Sequence, residues 1–138
     1  MSKKDDNSKF RLYLKFNFEE RVDLSEVKNW IEKEAPIQWI EYGLAGMTGN
    51  HGFFIKTTDI EMETVDIEDV TKIFLARHNK ELDNFNKIAK KFEGFFVMEV
   101  VVKINKKQMP AIYFESDFLA FIKGLNKLAN VDVDMYHL

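Results

Sequence analysis

The sequence predicts an α+β domain in which a mixed, mainly antiparallel sheet carries helices on one face. Residues Phe10 to Phe18 alternate between apolar and polar side chains, which indicates a strand with one buried face. Residues 95–104 are almost all apolar, which is typical of a central strand covered on both faces. Segments with helical periodicity are interspersed among the strands. This order favours one sheet with helices packed against it.

Length and composition predict one globular domain. The chain has 138 residues, of which 46% are hydrophobic and 31% are charged, so it can fold without a metal or a disulfide. Phenylalanine occurs 13 times, and we expect it to form much of the core. Residues 1–8 are polar and charged, and we predict a disordered tail there and a single domain over residues 9–138.

The N-terminal half is predicted to contain a strand, a helix and two further extended segments. Asp23 and Glu26 have the spacing of a capping box at the start of a helix, and Pro36 ends that helix. The apolar stretch Ile37 to Leu44 follows and is expected to be extended. Phe53 to Met62 then predicts a second long strand, although its alternation is imperfect.

Helical periodicity continues from Asp66 to about Phe92, and Gly94 ends it. One continuous helix would place Arg77 and His78 on its apolar face. We therefore predict two helices, with a break near residues 78–80.

The C-terminal part is predicted to contain a short strand, a helix and a closing strand. The short strand is Met109 to Phe114, Ser116 caps the helix, and Val131 to Tyr136 forms the last strand. In outline, Phe10 to Glu32 resembles Val97 to Leu125, because each has a strand, a polar turn and a capped amphipathic helix. This similarity predicts an internal pseudo-repeat of strand–helix–strand units.

Composition also limits the function. The absence of cysteine excludes disulfides, thiolate zinc sites and a cysteine nucleophile, and it fits a reducing compartment. No apolar run has the character of a signal peptide or a membrane span, so we expect a cytoplasmic protein. The net charge of −3 argues against nucleic acid as a partner. We expect no cofactor.

The segment Pro110 to Tyr136, PAIYFESDFLAFIKGLNKLANVDVDMY, resembles the closing signature of a family of small bacterial domains of unknown function. That signature consists of a proline-initiated strand, an acidic cap, an amphipathic helix and an alternating strand with aspartates that ends in tyrosine. The resemblance implies a fold, a bacterial origin and an accessory role such as toxin immunity. It implies no catalytic residue.

The loop from Gly43 to Gly52 and its His51 are the first candidate site. Glycine-rich loops can bind phosphate, but this one lacks both the Walker ending and the GxGxxG spacing, so a surface loop is the simpler interpretation. His51 is the most plausible reactive histidine because loops often carry functional groups. His78 is expected at a helix end, near the last carbonyls, and His137 near the exposed C-terminal end. Three scattered histidines do not predict a metal site.

The last strand supplies a second candidate. Asp132, Asp134 and Tyr136 share one face, opposite the valines and the methionine of the same strand. Two carboxylates on one face could bind a cation or act in acid–base chemistry. A solvated face of a half-buried strand is the alternative interpretation.

Acidic and aromatic residues supply the remaining candidates. The run from Asp59 to Asp69 contains Glu61, Glu63 and Glu68 and no basic residue, so it could complement a basic partner. A solvated strand end followed by a helix start would contain the same residues. Trp39 and Tyr42, beside the glycine-rich loop, could form an exposed aromatic anchor, or they could belong to the core.

Three functions remain open at this point. The first is a non-catalytic domain that binds another protein, such as the immunity partner of a toxin. The second is a small-molecule-binding domain or enzyme, with a pocket between the sheet and the Gly43–Gly52 loop that contains His51, Asp132 and Asp134. The third is an oligomerisation module, such as a homodimer, that uses an edge of the sheet.

Overall fold

A computed structural model of the protein describes residues 7–44, 52–105, 110 and 112–137. In this part of the chain, four α-helices accompany one six-stranded sheet. The strands are β1 (Ser8–Phe18), β2 (Ile40–Leu44), β3 (Phe53–Thr57), β4 (Ile60–Thr64), β5 (Gly94–Ile104) and β6 (Leu128–His137). The helices are α1 (Leu24–Glu34), α2 (Glu68–His78), α3 (Leu82–Lys91) and α4 (Ser116–Gly124).

The sheet is mixed and mostly antiparallel, as predicted. Its strand order is β2-β3-β1-β5-β6, and β4 also pairs with β1. Only β5 and β6 form a parallel pair among the described strands. Two strand–helix–strand units are present: β5–α4–β6, whose strands are adjacent, and β1–α1–β2, whose strands flank β3. In each unit the two strands run in the same direction. β5 and β6 form a parallel pair, and β1 and β2 are both antiparallel to β3.

β3 and β4 pair with the same edge of β1 and are separated by a one-residue shift in register. Lys15 lies opposite Lys56, whereas Arg11 lies opposite Glu61. The extra residue falls at positions 58–59, between the two strands, as in a β-bulge. We predicted one long strand here, and the bulge is the physical reason for its imperfect alternation.

All four helices cover the same face of the sheet. Alternate residues of β1 point into the core, and the buried apolar residues of every helix belong to that same cluster. The phenylalanine rings meet edge to face, with centroids 4.8 Å apart for Phe16 and Phe96 and 5.3 Å apart for Phe74 and Phe121. The prediction of a phenylalanine-rich core is confirmed by the largest fully buried side chains, which include Phe10, Phe16, Phe74, Phe96, Phe118 and Phe121.

One prediction about β5 is wrong. It is a central strand, but in the described part of the chain helices cover only one of its faces. Val97 and Val101 lie on the other face, opposite Lys15 and Arg11 of β1, and they are 6% and 8% exposed. Neighbouring long side chains shield them, which explains why an uncovered position is apolar.

The predicted cap of α1 and the predicted break after His78 are confirmed, whereas α2 begins at Glu68, two residues after the predicted start at Asp66. Asp23 Oδ1 accepts hydrogen bonds from the backbone N–H groups of Ser25 and Glu26 and caps α1. α2 ends at His78, and a 3-10 turn at Asn79–Glu81 separates it from α3, so the predicted break is present. The longest helices in the described ranges have eleven residues, and none has the length and apolar character needed to cross a bilayer.

Several predicted boundaries need correction. Ser116 is the first residue of α4 instead of its cap, because Glu115 occupies the cap position without a side-chain bond. In the predicted strand at 109–114, the described residues 110 and 112–114 form no strand. β6 begins at Leu128, before the predicted start, and it has ten residues because it follows β5 along most of its length. β1 begins at Ser8, inside the range predicted as a tail.

Candidate functional site

Trp39 is presented at the edge of the sheet in an unusual backbone conformation. Pro36 follows the end of α1, and the chain then turns through Trp39 into β2. Trp39 has a φ of 58°, in the left-handed region that bulky residues rarely adopt, and its side chain is 55% exposed. Its backbone C=O accepts a hydrogen bond from the N–H of Thr58 (2.7 Å), the residue that follows the neighbouring strand β3, and this bond helps to hold the conformation.

Arg77, from the last turn of α2, supports the indole. Its guanidinium carbon lies 4.7 Å from the centroid of the Trp39 ring, a cation–π contact. One terminal nitrogen of Arg77, Nη1, is buried without a hydrogen-bond partner in the described part of the chain. The ring therefore rests on a cation that is held against the protein surface.

Two side chains that follow α2 hold the segment before Trp39. Glu81 accepts a hydrogen bond from the Gln38 N–H through Oε2 (2.7 Å), and Asn84 Nδ2 donates to the Pro36 carbonyl (2.8 Å). The second carboxylate oxygen of Glu81 lies 2.8 Å from Nδ1 of His78. The position of Trp39 is thus linked through Glu81 to the interior of the protein.

His78 is fully buried, although we expected it near the carbonyls at a helix end. Its ring packs between Phe74 and Phe85, with centroid distances of 4.9 and 5.8 Å. Burial lowers the pKa of His78, while Glu81 opposes that shift and Arg77 adds to it. The imidazole is therefore neutral at pH 7, and its Nδ1–H donates to Glu81.

A groove of about 320 Å³ runs beside Trp39, between α1 and β2. Tyr42 forms part of its wall and is half-buried. Burial, followed by the Glu32 carboxylate, raises the pKa of Tyr42 to about 12, so the phenol keeps its proton at neutral pH. We call this surface the Trp39 groove; its lining residues are Lys28, Ile31, Glu32, Pro36, Ile37, Trp39, Ile40 and Tyr42.

The face of the sheet opposite the helices is a second exposed surface, which we call the open face. Cations lie over its aromatic rings: the Lys15 ammonium is 4.5 Å from the centroid of Phe54, and the Lys56 ammonium is 4.7 Å from that of Tyr13. Pairing registers place the following residues on it: Lys9, Arg11, Tyr13, Lys15 and Asn17 of β1; Phe54, Lys56, Glu61 and Glu63 of β3 and β4; Phe95, Val97, Glu99, Val101 and Lys103 of β5; and Asn130, Asp132, Asp134 and Tyr136 of β6.

The structure divides the acidic run between two surfaces. Glu61 and Glu63 are exposed on the open face, opposite Arg11 and Lys9 of β1. Glu68 lies in the first turn of α2, where it accepts a hydrogen bond from the Tyr113 hydroxyl (3.2 Å). Glu61 and Glu63 belong to β4 and Glu68 belongs to α2, so the three glutamates predicted to form one partner-binding patch lie on two separate elements.

Asp132 and Asp134 share the open face, as their spacing predicted, and Glu99 of β5 joins them. Asp132 is the register partner of Glu99, and Asp134 lies two pairs further along, opposite Val101. Burial, followed by Asp132 and Asp134, raises the pKa of Glu99. Sequence analysis missed Glu99 because it is a single acid within an apolar run. In the described residues no group of three or more His, Asp or Glu side chains could hold a metal ion.

His51 and residues 45–51 of the predicted glycine-rich loop lie outside the described residues. Gly52, at the end of the loop, has a φ of 58°, in the left-handed region that glycine adopts readily. The alternative pocket, which required His51 with Asp132 and Asp134, therefore stays a prediction. Sequence analysis singled out Trp39 and Tyr42 but missed Arg77, which was notable only because it interrupts an apolar helical face.

No protein-family model matches the chain, and no curated protein or solved structure matches it significantly. The resemblance of the C-terminal segment to a family of small bacterial domains thus stays a prediction.

Proposed function

We propose that the chain is a non-catalytic domain that binds another protein through the Trp39 groove. The observation that carries this proposal is an exposed tryptophan held at positive φ and stacked on Arg77. A large aromatic side chain that stays exposed does not contribute the stabilisation that burial would give, which is about 1.5–3 kcal/mol for a large apolar side chain. Residues in strained conformations concentrate at functional sites.

The composition of the groove supports a protein as the ligand. Tryptophan, tyrosine and arginine are the residues most enriched at the centres of protein interfaces, and Trp39, Tyr42 and Arg77 lie together here. The ring of Trp39 is already fixed by Arg77 and by the bonds that hold its loop. Binding would therefore cost little side-chain entropy.

The finer proposal concerns the kind of partner. The net charge of −3 favours a basic protein, because complementary charge accelerates association. The resemblance of residues 110–136 to small bacterial domains suggests the role of an immunity-type partner of a toxin.

The test is to place a photo-crosslinking phenylalanine analogue at Lys28, an exposed residue that lines the groove, in cells of the source organism while Trp39 is left unchanged. We expect it to crosslink to a specific protein, and the purified pair should lose at least tenfold in affinity when Trp39→Ala is introduced. Val65→Ala is the matched control, because Val65 is another exposed apolar residue (43%) at the turn between β4 and α2.

Thermal unfolding of both variants shows whether they remain folded. Equal effects of Trp39→Ala and Val65→Ala on affinity, or no crosslinked protein, would contradict the proposal.

A small molecule is the second candidate, favoured by the size of the groove. Ligand pockets usually exceed about 300 Å³ and combine apolar walls with a few polar groups, and this groove has about 320 Å³ and the Tyr42 phenol. Native mass spectrometry of the protein purified from its source would detect a bound small molecule. Its release by Tyr42→Phe would favour this function over protein binding.

A further inference from the structure

β6 is an edge strand whose C-terminal half is uncovered on both sides. It pairs with β5 from Leu128 to His137, and β5 is its only strand partner in the described part of the chain. Val133 and Met135, on the helix side, are 39% and 45% exposed, and Tyr136, on the open face, is 46% exposed. The free edge therefore offers backbone N–H and C=O groups to another strand.

The open-face side of this edge is negatively charged. Asp132 and Asp134 point to the same side as Glu99 of the neighbouring strand. Within the described residues neither aspartate forms an ion pair with a lysine or an arginine, and Asp132 instead accepts a hydrogen bond from Asn130. Burial raises the pKa of Glu99, and Asp132 and Asp134 add to that shift.

A second copy of the chain does not suit this edge. If two β6 strands paired antiparallel in one continuous sheet, registers centred on Asp132, Val133 or Asp134 would each place an aspartate opposite an aspartate. Like charges directly opposite each other destabilise a strand pair. The charges of β6 thus act against self-pairing and favour an occupant of opposite charge.

We propose that β6 accepts an added strand from a protein whose segment alternates basic and apolar residues. The basic side chains lie beside Asp132 and Asp134 on the open face, and the apolar ones cover Val133 and Met135 on the other side. Main-chain hydrogen bonds supply affinity that does not depend on sequence, and the two alternating sides supply specificity. The proposal rests on the proposed protein-binding function, but it concerns the edge of the sheet opposite Trp39.

The experiment measures binding of a short synthetic peptide that alternates lysine and valine, by isothermal titration calorimetry at physiological salt. We expect the double variant Asp132→Lys, Asp134→Lys to bind at least about tenfold more weakly than the unchanged protein, because two attractions become repulsions. Hydrogen exchange of the β6 amides should slow when the peptide is added to the unchanged protein.

Three controls separate strand addition from general attraction. Glu61→Lys with Glu63→Lys makes the same change of charge on β4, at the far side of β1, and should alter affinity less than twofold. A peptide of the same composition with its lysines grouped together, and one N-methylated on alternate residues, should not bind. Trp39→Ala should bind the alternating peptide normally, so failure of the Trp39 groove and failure of this edge are distinguishable.

The proposal is overturned if the alternating peptide does not bind, if the double β6 variant binds it equally, or if the N-methylated peptide binds as well. It is also overturned if analytical ultracentrifugation shows a dimer of the unchanged protein that the β6 variant loses. In that case the occupant would be a second copy.

Discussion

The two faces of β1 consist of alternate residues of one strand, yet different forces stabilise them. On the covered face, Phe10, Leu12, Leu14 and Phe16 are at most 1% exposed and pack against helices. On the open face, the alternate residues from Lys9 to Asn17 are only partly buried. Their charged groups lie on rings and beside carboxylates: the Lys15 ammonium lies over the Phe54 ring, and Arg11 lies 3.9 Å from Asp59.

This difference shows how the molecule separates stability from recognition. Apolar burial on the covered face contributes most of the folding free energy, and its packing tolerates few changes. Exposed ion pairs and cation–π contacts contribute up to about 1 kcal/mol each. The open face can therefore carry the charges that a partner would recognise with little effect on the stability of the fold.

The largest expected change in stability comes from a substitution on the covered face. Phe16→Ala should reduce the free energy of unfolding by about 3–5 kcal/mol, because it removes a buried ring that contacts Phe96 and Phe18 and leaves a cavity. Lys15→Ala, one residue away on the open face, should cost about 1 kcal/mol or less, since it loses an exposed contact with Phe54 and part of the cover over Val97 but leaves no internal cavity. Chemical denaturation measures both, and similar costs would contradict the contrast between the faces.

A middle-sized effect concerns His78, the buried titratable group on the covered side. Because its folded pKa is below the ordinary value near 6.5, the unfolded chain binds the proton more tightly. The contribution of neutral His78 to the free energy of unfolding should be fully present above that pH and should decline as the pH falls below it.

His78→Asn can keep the bond to Glu81 without a titrating group, so its stability should depend less on pH between 7 and 5. His78→Leu loses that bond and should cost about 1–3 kcal/mol at pH 7. Thermal unfolding at several pH values tests this, and identical pH profiles for the unchanged protein and His78→Asn would contradict it.

The smallest expected change in stability concerns Glu99, on the open face. Burial and the aspartates of β6 raise the pKa of Glu99, so its ionised form at pH 7 opposes folding, and acid should relieve this cost. This dependence has the opposite sign to that of His78.

Glu99→Gln should therefore stabilise the protein slightly at pH 7, by a few tenths of a kcal/mol, because the side chain is only half-buried. Denaturation at pH 7 and at pH 4 gives the comparison. A loss of stability at pH 7 would show that Glu99 has a favourable partner.

Much of the fold follows from local pattern. The alternation of Phe10 to Phe18, the cap at Asp23 and the break near His78 predicted elements that the structure contains. The errors arose where the pattern was ambiguous. An apolar strand such as β5 does not reveal whether its second face is covered by helices or by long side chains from its neighbours.

The candidate sites depended more on tertiary structure. Sequence analysis found Trp39, Tyr42, Asp132 and Asp134 because aromatic residues beside a loop and acids of equal parity are visible locally. It could not find the partner of Trp39, because Arg77 is 38 positions away and its contact with the indole exists only after α2 packs beside the turn into β2.

The sequence by itself determined most of the segments that become strands and helices, and which side of each is apolar, because both depend on the spacing of neighbouring residues. Tertiary structure decided the strand order, the bulge between β3 and β4, the burial of His78 and the meeting of Glu99 with Asp132. These features depend on contacts between distant segments, and the packing of the whole chain selects among many pairings that local pattern permits equally.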